Sequence, residues 1–255
     1  MCIRDRDSAG AMSADDSAMP VPPPASGSSF NLWQPRSHCP HCQHRLAWRE
    51  NIPVLSYLFL RGRCSNCQQP ISVRYPLVEL ATALLFAGCG HRFGFELTAF
   101  AWAGFCACLL TLALIDLDTT LLPDAITLPL IWAGLVASAL QWTTIPLAAS
   151  LWGAVAGYLS LWSVYWLFKL LTGKEGMGYG DFKLLSALGA WFGVGSILPL
   201  VLISSVVGAS AGILMIAARK VVRQQAIPFG PYLALAGLVL LWLGPARVTS
   251  WLSLS

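Results

Sequence analysis

The chain has 255 residues, of which 56% are hydrophobic and 11% charged, with a formal net charge of +4 and a mean hydropathy of +0.64. A soluble domain carries about 25% charged residues, so a surface facing water all round is excluded. A charge this small is no electrostatic footprint for nucleic acid. The composition fits an all-α polytopic protein whose solvent is largely the lipid bilayer.

In chain order, residues 1–30 are polar, rich in Pro, Ser and Gly, and without periodicity. Such a segment cannot bury enough apolar surface to order itself, and disorder is expected. No apolar h-region is present, so it does not read as a signal peptide.

Residues 31–75 hold six of the sixteen basic residues and three of the four histidines. They also hold two knuckles, Cys39-Pro-His-Cys42 and Cys64-Ser-Asn-Cys67, separated by twenty-one residues. Two C-x2-C pairs near this spacing match a structural zinc site with four thiolates, each about 2.3 Å from the metal. A pair of disulfides is the competing assignment, and a reducing cytoplasmic location argues against it. Four cysteines close the coordination sphere, so the expected role is structural. His38, His41 and His44 crowd the first knuckle; they are alternative ligands by chemistry, but solvated or supporting groups are the expected reading. Cys89, Cys106 and Cys108 lie in apolar runs and read as small packing residues.

From Pro76 to residue 246 the chain is a series of apolar stretches, at about 77–91, 97–115, 122–140, 147–171, 184–195, 197–218 and 228–244. A membrane-crossing helix needs ~20 residues, so about seven transmembrane helices are expected, the first and fifth being short. Residues 247–255 read as a C-terminal tail. Trp102, Trp132, Trp152, Trp162, Trp166, Trp191 and Trp242 sit in these runs; packing is the expected role for most, interfacial anchoring for the others.

Orientation follows from Lys and Arg. The basic segment before Pro76 is expected in the cytoplasm by the positive-inside rule. Alternation then places the loops near 172–183 (Lys174, Lys183) and 219–225 (Arg219, Lys220, Arg223) inside. The uncharged loop near 141–146 falls outside, and Arg92 and Arg247 are exceptions to the pattern. This parity puts Asp116 and Asp181 on the same, cytoplasmic side, each near a helix end.

A carboxylate at mid-membrane costs roughly 2.5–3.5 kcal/mol on insertion scales and marks function by default. Two at one depth point to a shared proton and acid–base chemistry on water, as in an aspartic protease. Around the first, in Ile115-Asp116-Leu117-Asp118, Asp116 continues the apolar run, which gives it a modest lead over Asp118. Asp124 follows Pro123 at the expected start of a helix, where a negative charge is favourable for a bland reason. Around the second, glycines alternate in Gly176-Met-Gly178-Tyr-Gly180-Asp181. They suit a turn or a close backbone approach, and Asp181 is expected at the start of the next helix. A phosphate loop is excluded, because Gly173-Lys174 is followed by Glu175. Lys183 reads as a solvated lysine.

These residues carry a family resemblance. The paired knuckles, RYPLVEL at 74–80, IDLDTTLLPD at 115–124, GMGYGDFKLLSALGAW at 176–191 and PFGPYLALAG at 228–237 occur in one order. The chain resembles the bacterial type IV prepilin peptidases, membrane aspartic proteases of the G-x-G-D type, over roughly residues 30–242. The resemblance implies Asp116 and Asp181 as the catalytic pair and Cys39, Cys42, Cys64 and Cys67 as zinc ligands. It implies a bacterial inner-membrane enzyme, with its zinc module cytoplasmic, that cuts the basic leader from type IV prepilins or type II secretion pseudopilins at the cytoplasmic face. It further implies N-methylation of the new N-terminus with S-adenosylmethionine. The family normally starts with an additional membrane helix bearing a glycine-serine-phenylalanine-leucine-asparagine type motif. Residues 1–30 carry nothing like it, so a truncated gene model with a non-native MCIRDRDSAG start is expected, which puts methylation in question.

Two other classes compete. A proton- or cation-coupled transporter would use the paired aspartates for binding, but it predicts inverted repeats and the halves show no self-similarity. An inactive scaffold docking partners through its zinc module leaves both acids unexplained.

Overall fold

A computed structural model describes residues 38–39, 42–52, 54–173, 176–218 and 228–252. The segment 1–30 and the residues His41, Lys174, Glu175, Arg219, Lys220 and Arg223 lie outside the described residues. The chain forms two compact units, Met1–Ala81 and Thr82–Ser255.

In the first unit a 3-10 turn (Trp48–Asn51) and a short helix α1 (Leu55–Phe59) follow the first knuckle, and α2 (Arg74–Phe93) starts after the second. Only isolated β-bridges, His38 with Arg45 and Arg63 with Pro70, accompany them among the described residues. The two knuckles repeat one geometry. The Cys39 N–H bonds to the His44 carbonyl and the Cys64 N–H to the Gln69 carbonyl, each at 2.9 Å. Gln43 and Gln68 occupy the same place in each turn with φ of 57° and 58°.

The second unit is helical, taking up the rest of α2, then α3 (Leu97–Thr119), α4 (Asp124–Ala139), α5 (Leu147–Thr172) and α6 (Tyr179–Phe192), followed by α7 (Ile197–Ala217), α8 (Gly230–Leu243) and α9 (Pro245–Leu252). Each expected apolar stretch contains or overlaps one of α2 to α8. Among the described residues, three spans are long and apolar enough to cross a membrane, Leu97–Thr119, Leu147–Thr172 and Val194–Ala217, and Asp124–Ala139 and Gly230–Leu243 are shorter apolar helices. The residues expected as a C-terminal tail begin inside α9. Gly244, at φ 86°, ends α8, and Pro245 opens the next helix, where its missing N–H costs nothing.

α6 differs in kind from the others. It has 14 residues, about 21 Å of helix against a hydrocarbon core of about 30 Å. Every residue from Asp181 to Phe192 except Lys183 is buried. A helix apolar all round is enclosed by its neighbours, and here α4, α5, α7 and α8 pack against it.

Lipid offers no hydrophobic drive for helix association, so close backbone approach and interhelical hydrogen bonds do more of the work. A Cβ on Gly153 of α5 would collide with the Gly189 carbonyl of α6, and one on Gly157 would lie 2.6 Å from the Leu185 carbonyl oxygen. The Ser186 hydroxyl donates to the Ala154 carbonyl at 2.9 Å, Ser150 donates to the Ala190 carbonyl, and the Trp191 indole N–H donates to the Leu130 carbonyl of α4 at 3.0 Å. Bonds of this kind average about 0.6 kcal/mol in a membrane protein.

Trp102 and Trp191 are buried and pack with Phe105 and Phe192. A Cβ on Gly88 would strike the Trp242 ring. Trp132, Trp152, Trp162 and Trp166 are exposed, so packing is not the role of most of the seven. An amphipathic indole on an exposed face suits lipid or the interface.

Candidate active site and metal site

Asp116 stands in the last turn of α3. That helix closes when Thr120 takes φ 53° and its N–H bonds to the Asp116 carbonyl. Asp181 stands in the first turn of α6, after Gly178 as the N-cap residue. Both are buried, at 4% and 6% relative exposure, and no other acid among the described residues is. The fold brings the two within range of each other's charge. Asp118 and Asp124 are exposed, so burial separates Asp116 from its neighbours where sequence spacing gave only a lead.

Each carboxylate has a backbone partner. The Gly230 N–H, at the first position of α8, donates to Asp116 Oδ2 at 3.0 Å. That terminus has unpaired N–H groups and a favourable dipole for a carboxylate. Asp181 accepts a hydrogen bond from the Gly178 backbone.

The glycines near Asp181 divide between the two expected uses, a turn and a close approach, since Gly176 and Gly178 lie in the non-helical backbone before α6. Gly180 is helical, inside α6, and none of Gly176, Gly178 and Gly180 has positive φ. Space explains two of them. A Cβ on Gly180 would lie 2.6 Å from Leu122 Cβ, and one on Gly176 2.9 Å from the Phe168 ring. Gly178 has only Asp181 Oδ2, at 3.8 Å, as a neighbour of that kind. Leu122 also approaches Gly230, where a Cβ would be 3.3 Å from its Cδ1. One leucine thus lies against Gly230, which bonds Asp116, and against Gly180, which precedes Asp181.

Lys183 is not a solvated lysine. Its ammonium donates to both Asp124 oxygens, at 2.6 and 2.7 Å, tying the start of α6 to the start of α4. Gly230, Leu122 and this ion pair escaped the sequence reading. The string at 228–237 entered only through the family resemblance, and nothing in it indicated a carboxylate beside Gly230.

In the first unit, the Sγ atoms of Cys39, Cys42, Cys64 and Cys67 all lie within 4.8 Å of one another. Across the knuckles Cys39 faces Cys67 at 3.8 Å and Cys42 faces Cys64 at 3.9 Å. Tetrahedral thiolates about 2.3 Å from one zinc would be about 3.8 Å apart, whereas a disulfide requires about 2.05 Å. The cysteines are free and the cluster can hold one metal ion. Backbone N–H groups favour thiolate: the His44 N–H foremost brings Cys42 down to about 7, and the Cys67 N–H foremost lowers Cys64. Cys67 accepts a bond from the Gln69 backbone, yet burial and the three neighbouring sulfurs outweigh it and push the thiol up to about 12. Glu50 braces both knuckles through Ser65, the Ala47 N–H at 2.8 Å and His44 at 3.4 Å. His44 therefore supports the site through Glu50, and His38 lies in the bridge to Arg45.

Comparison with known proteins gives the family. The model for the bacterial peptidase A24 N-terminal domain matches residues 17–93, and that for the type IV leader peptidase family matches residues 103–213. The chain is 52% identical over 233 residues to a prepilin leader peptidase/N-methyltransferase of Stutzerimonas stutzeri, covering 91% of this chain and 80% of that protein. It is 53% identical over 227 residues to the protein of that name from Pseudomonas aeruginosa, covering 88% and 78%, and 52% identical over 242 residues to that from Aeromonas hydrophila, covering 93% and 79%. No solved structure matches. On these relatives, the chain is a multi-pass membrane enzyme and belongs to the type IV leader peptidase family.

Proposed function

We propose that this chain is an aspartic endopeptidase of the bacterial inner membrane that removes the basic leader from type IV prepilins or type II secretion pseudopilins at the cytoplasmic face. Asp116 and Asp181 are its catalytic pair. The observation that carries this reading is that the two buried acids of the described residues come from different helices and lie within range of each other's charge.

Two adjacent carboxylates that share one proton divide the labour. The ionised one takes a proton from the attacking water. The neutral one hydrogen-bonds the scissile carbonyl and later protonates the leaving amine. The Gly230 N–H holds one Asp116 oxygen, which leaves the other to face the reacting atoms. A helical substrate must unwind at the cut, because helical amides are bonded internally. A glycine before the cut eases this, and the exposed acid Asp118 supplies a field for the Lys and Arg of the leader, whereas the charge of Asp124 is met by Lys183.

The four-cysteine module is proposed to hold structural zinc on the cytoplasmic side, with Cys39, Cys42, Cys64 and Cys67 as ligands and no open position for the reaction. Methylation of the new N-terminus, with S-adenosylmethionine as donor, is the second half of the proposal. It rests on the name the relatives carry; no residue is assigned to the donor.

The test is cleavage of a prepilin-like substrate by the purified chain in lipid. Wild type is expected to release the leader and Asp116→Asn and Asp181→Asn to release none while still inserting. Cleavage by either variant at the wild-type rate would overturn the assignment.

A further inference from the structure

The first unit presents an apolar patch that metal binding does not use. Leu55, Leu58 and Phe59 of α1 are 52%, 66% and 85% exposed. Phe59 directs almost its entire ring outward from a module whose own core is small.

This exposure is built in. Tyr57, between them, is the residue turned inward. Its hydroxyl donates to the Ile71 carbonyl at 3.4 Å, and its ring packs on Gly62, where a Cβ would lie 2.8 Å from the hydroxyl. With Tyr57 fixed inside, Leu58 and Phe59 have to face out. The chain then reverses through Arg61 at φ 51° and Gly62 at φ 69°. A non-glycine residue in the left-handed region is uncommon, and here it leaves Arg61, like Arg63, exposed beside the patch. From residue 51 to 78 the sequence has three arginines, Arg61, Arg63 and Arg74, and no acid.

One hydrogen bond sets the height of the patch. The Val54 N–H, just before α1, donates to Glu79 Oε2 of α2 at 3.1 Å. Glu79 is followed by the apolar run that begins Leu80-Ala-Thr-Ala-Leu-Leu-Phe, so α1 is pinned at the level where α2 passes from polar to apolar sequence. Apolar side chains with an arginine rim at that level have the chemistry of an interfacial helix on an anionic leaflet.

We propose that α1 is a membrane-surface anchor of the cysteine module: Leu55, Leu58 and Phe59 enter the acyl boundary of a bilayer leaflet, and Arg61 and Arg63 bind the phosphates of anionic lipid headgroups. The anchor fixes the module against the bilayer. It is independent of the proposed peptidase chemistry, and its test needs no activity.

The full-length chain, with Phe59 replaced by a photoreactive benzophenone analogue of phenylalanine, is placed in nanodiscs of three parts phosphatidylethanolamine to one part phosphatidylglycerol and irradiated. Mass spectrometry of the peptide containing position 59 is expected to show a phospholipid adduct. The same probe at Asn66, exposed but in the second knuckle, is expected to show at least about fivefold less. Arg61→Gln with Arg63→Gln is expected to lower the adduct at position 59 by about fivefold or more, the scale of one arginine's attraction to an anionic leaflet. Zinc content reports that each variant has kept its module. Adducts at position 59 to protein, whether a prepilin, a second copy or another segment of this chain, would overturn the proposal, as would lipid labelling equal to that at Asn66.

Discussion

The backbone N–H of Gly230 donates to Oδ2 of Asp116 at 3.0 Å across 114 residues of sequence. A Cβ at Gly230 would lie 2.6 Å from that oxygen, and Pro231 follows, which disfavours helical backbone for any preceding residue with a side chain. Gly230→Ala is therefore expected to displace the carboxylate and to reduce kcat about 100-fold, the cost of an ångström-scale misplacement of a catalytic group, with KM for a leader peptide little changed. Steady-state cleavage kinetics check this. An unchanged kcat would mean that the bond does not position Asp116.

Acid substitutions separate the catalytic pair from its neighbours. Asp118→Asn is expected to retain activity, because Asp118 is exposed, whereas Asp116→Asn and Asp181→Asn lose it. Asp124→Asn and Lys183→Met break an exposed ion pair, and such pairs contribute about 0–1 kcal/mol. Each should lower kcat/KM by no more than about fivefold, and the double variant by no more than either alone, as assayed on one peptide. A hundredfold loss in Asp124→Asn would promote that pair to the machinery of the reaction.

The two glycines before Asp181 should behave differently. Gly180→Ala thrusts a methyl group into Leu122, while Gly178→Ala meets nothing closer than 3.8 Å. Gly180→Val is expected to slow cleavage much more than it weakens substrate binding, and Gly178→Ala to be mild. Leu122→Ala should restore part of the rate lost in Gly180→Ala by vacating the contested space. Failure of that rescue would show that Gly180 serves something other than packing on Leu122.

The cysteine cluster is expected to bind about one zinc per chain. Cys39→Ser with Cys64→Ser should abolish binding, with only partial loss of peptidase activity because the site is closed to substrate. Affinity should rise with pH. Between pH 6 and 8 Cys42, held near 7, sheds its proton unaided, whereas Cys67, near 12, keeps its proton until metal displaces it. Because ligation requires thiolates, acid competes with the metal and alkali favours it, by at least about tenfold per pH unit. A chelator competition series across that range measures it, and a flat profile would argue against thiolate ligation.

Sequence alone determined what each segment is made for. Apolar runs located α2 to α8 because helices that bury or present apolar surface throughout announce themselves by composition, and the C-x2-C spacing located the metal cluster because each knuckle is a local turn. Motif order, more than any one string, singled out Asp116 and Asp181. Their partners were decided only in three dimensions. That Gly230 serves Asp116, that Leu122 lies against both Gly180 and Gly230, and that Lys183 reaches Asp124 depend on which helix ends the packing of α3, α4, α6 and α8 brings together. The same holds for Gly180, where sequence left a turn and a close approach open and the fold uses a close approach inside α6. Local propensity sees a glycine's backbone freedom, but only a neighbour distant in sequence, here Leu122, reveals that the missing side chain is the point.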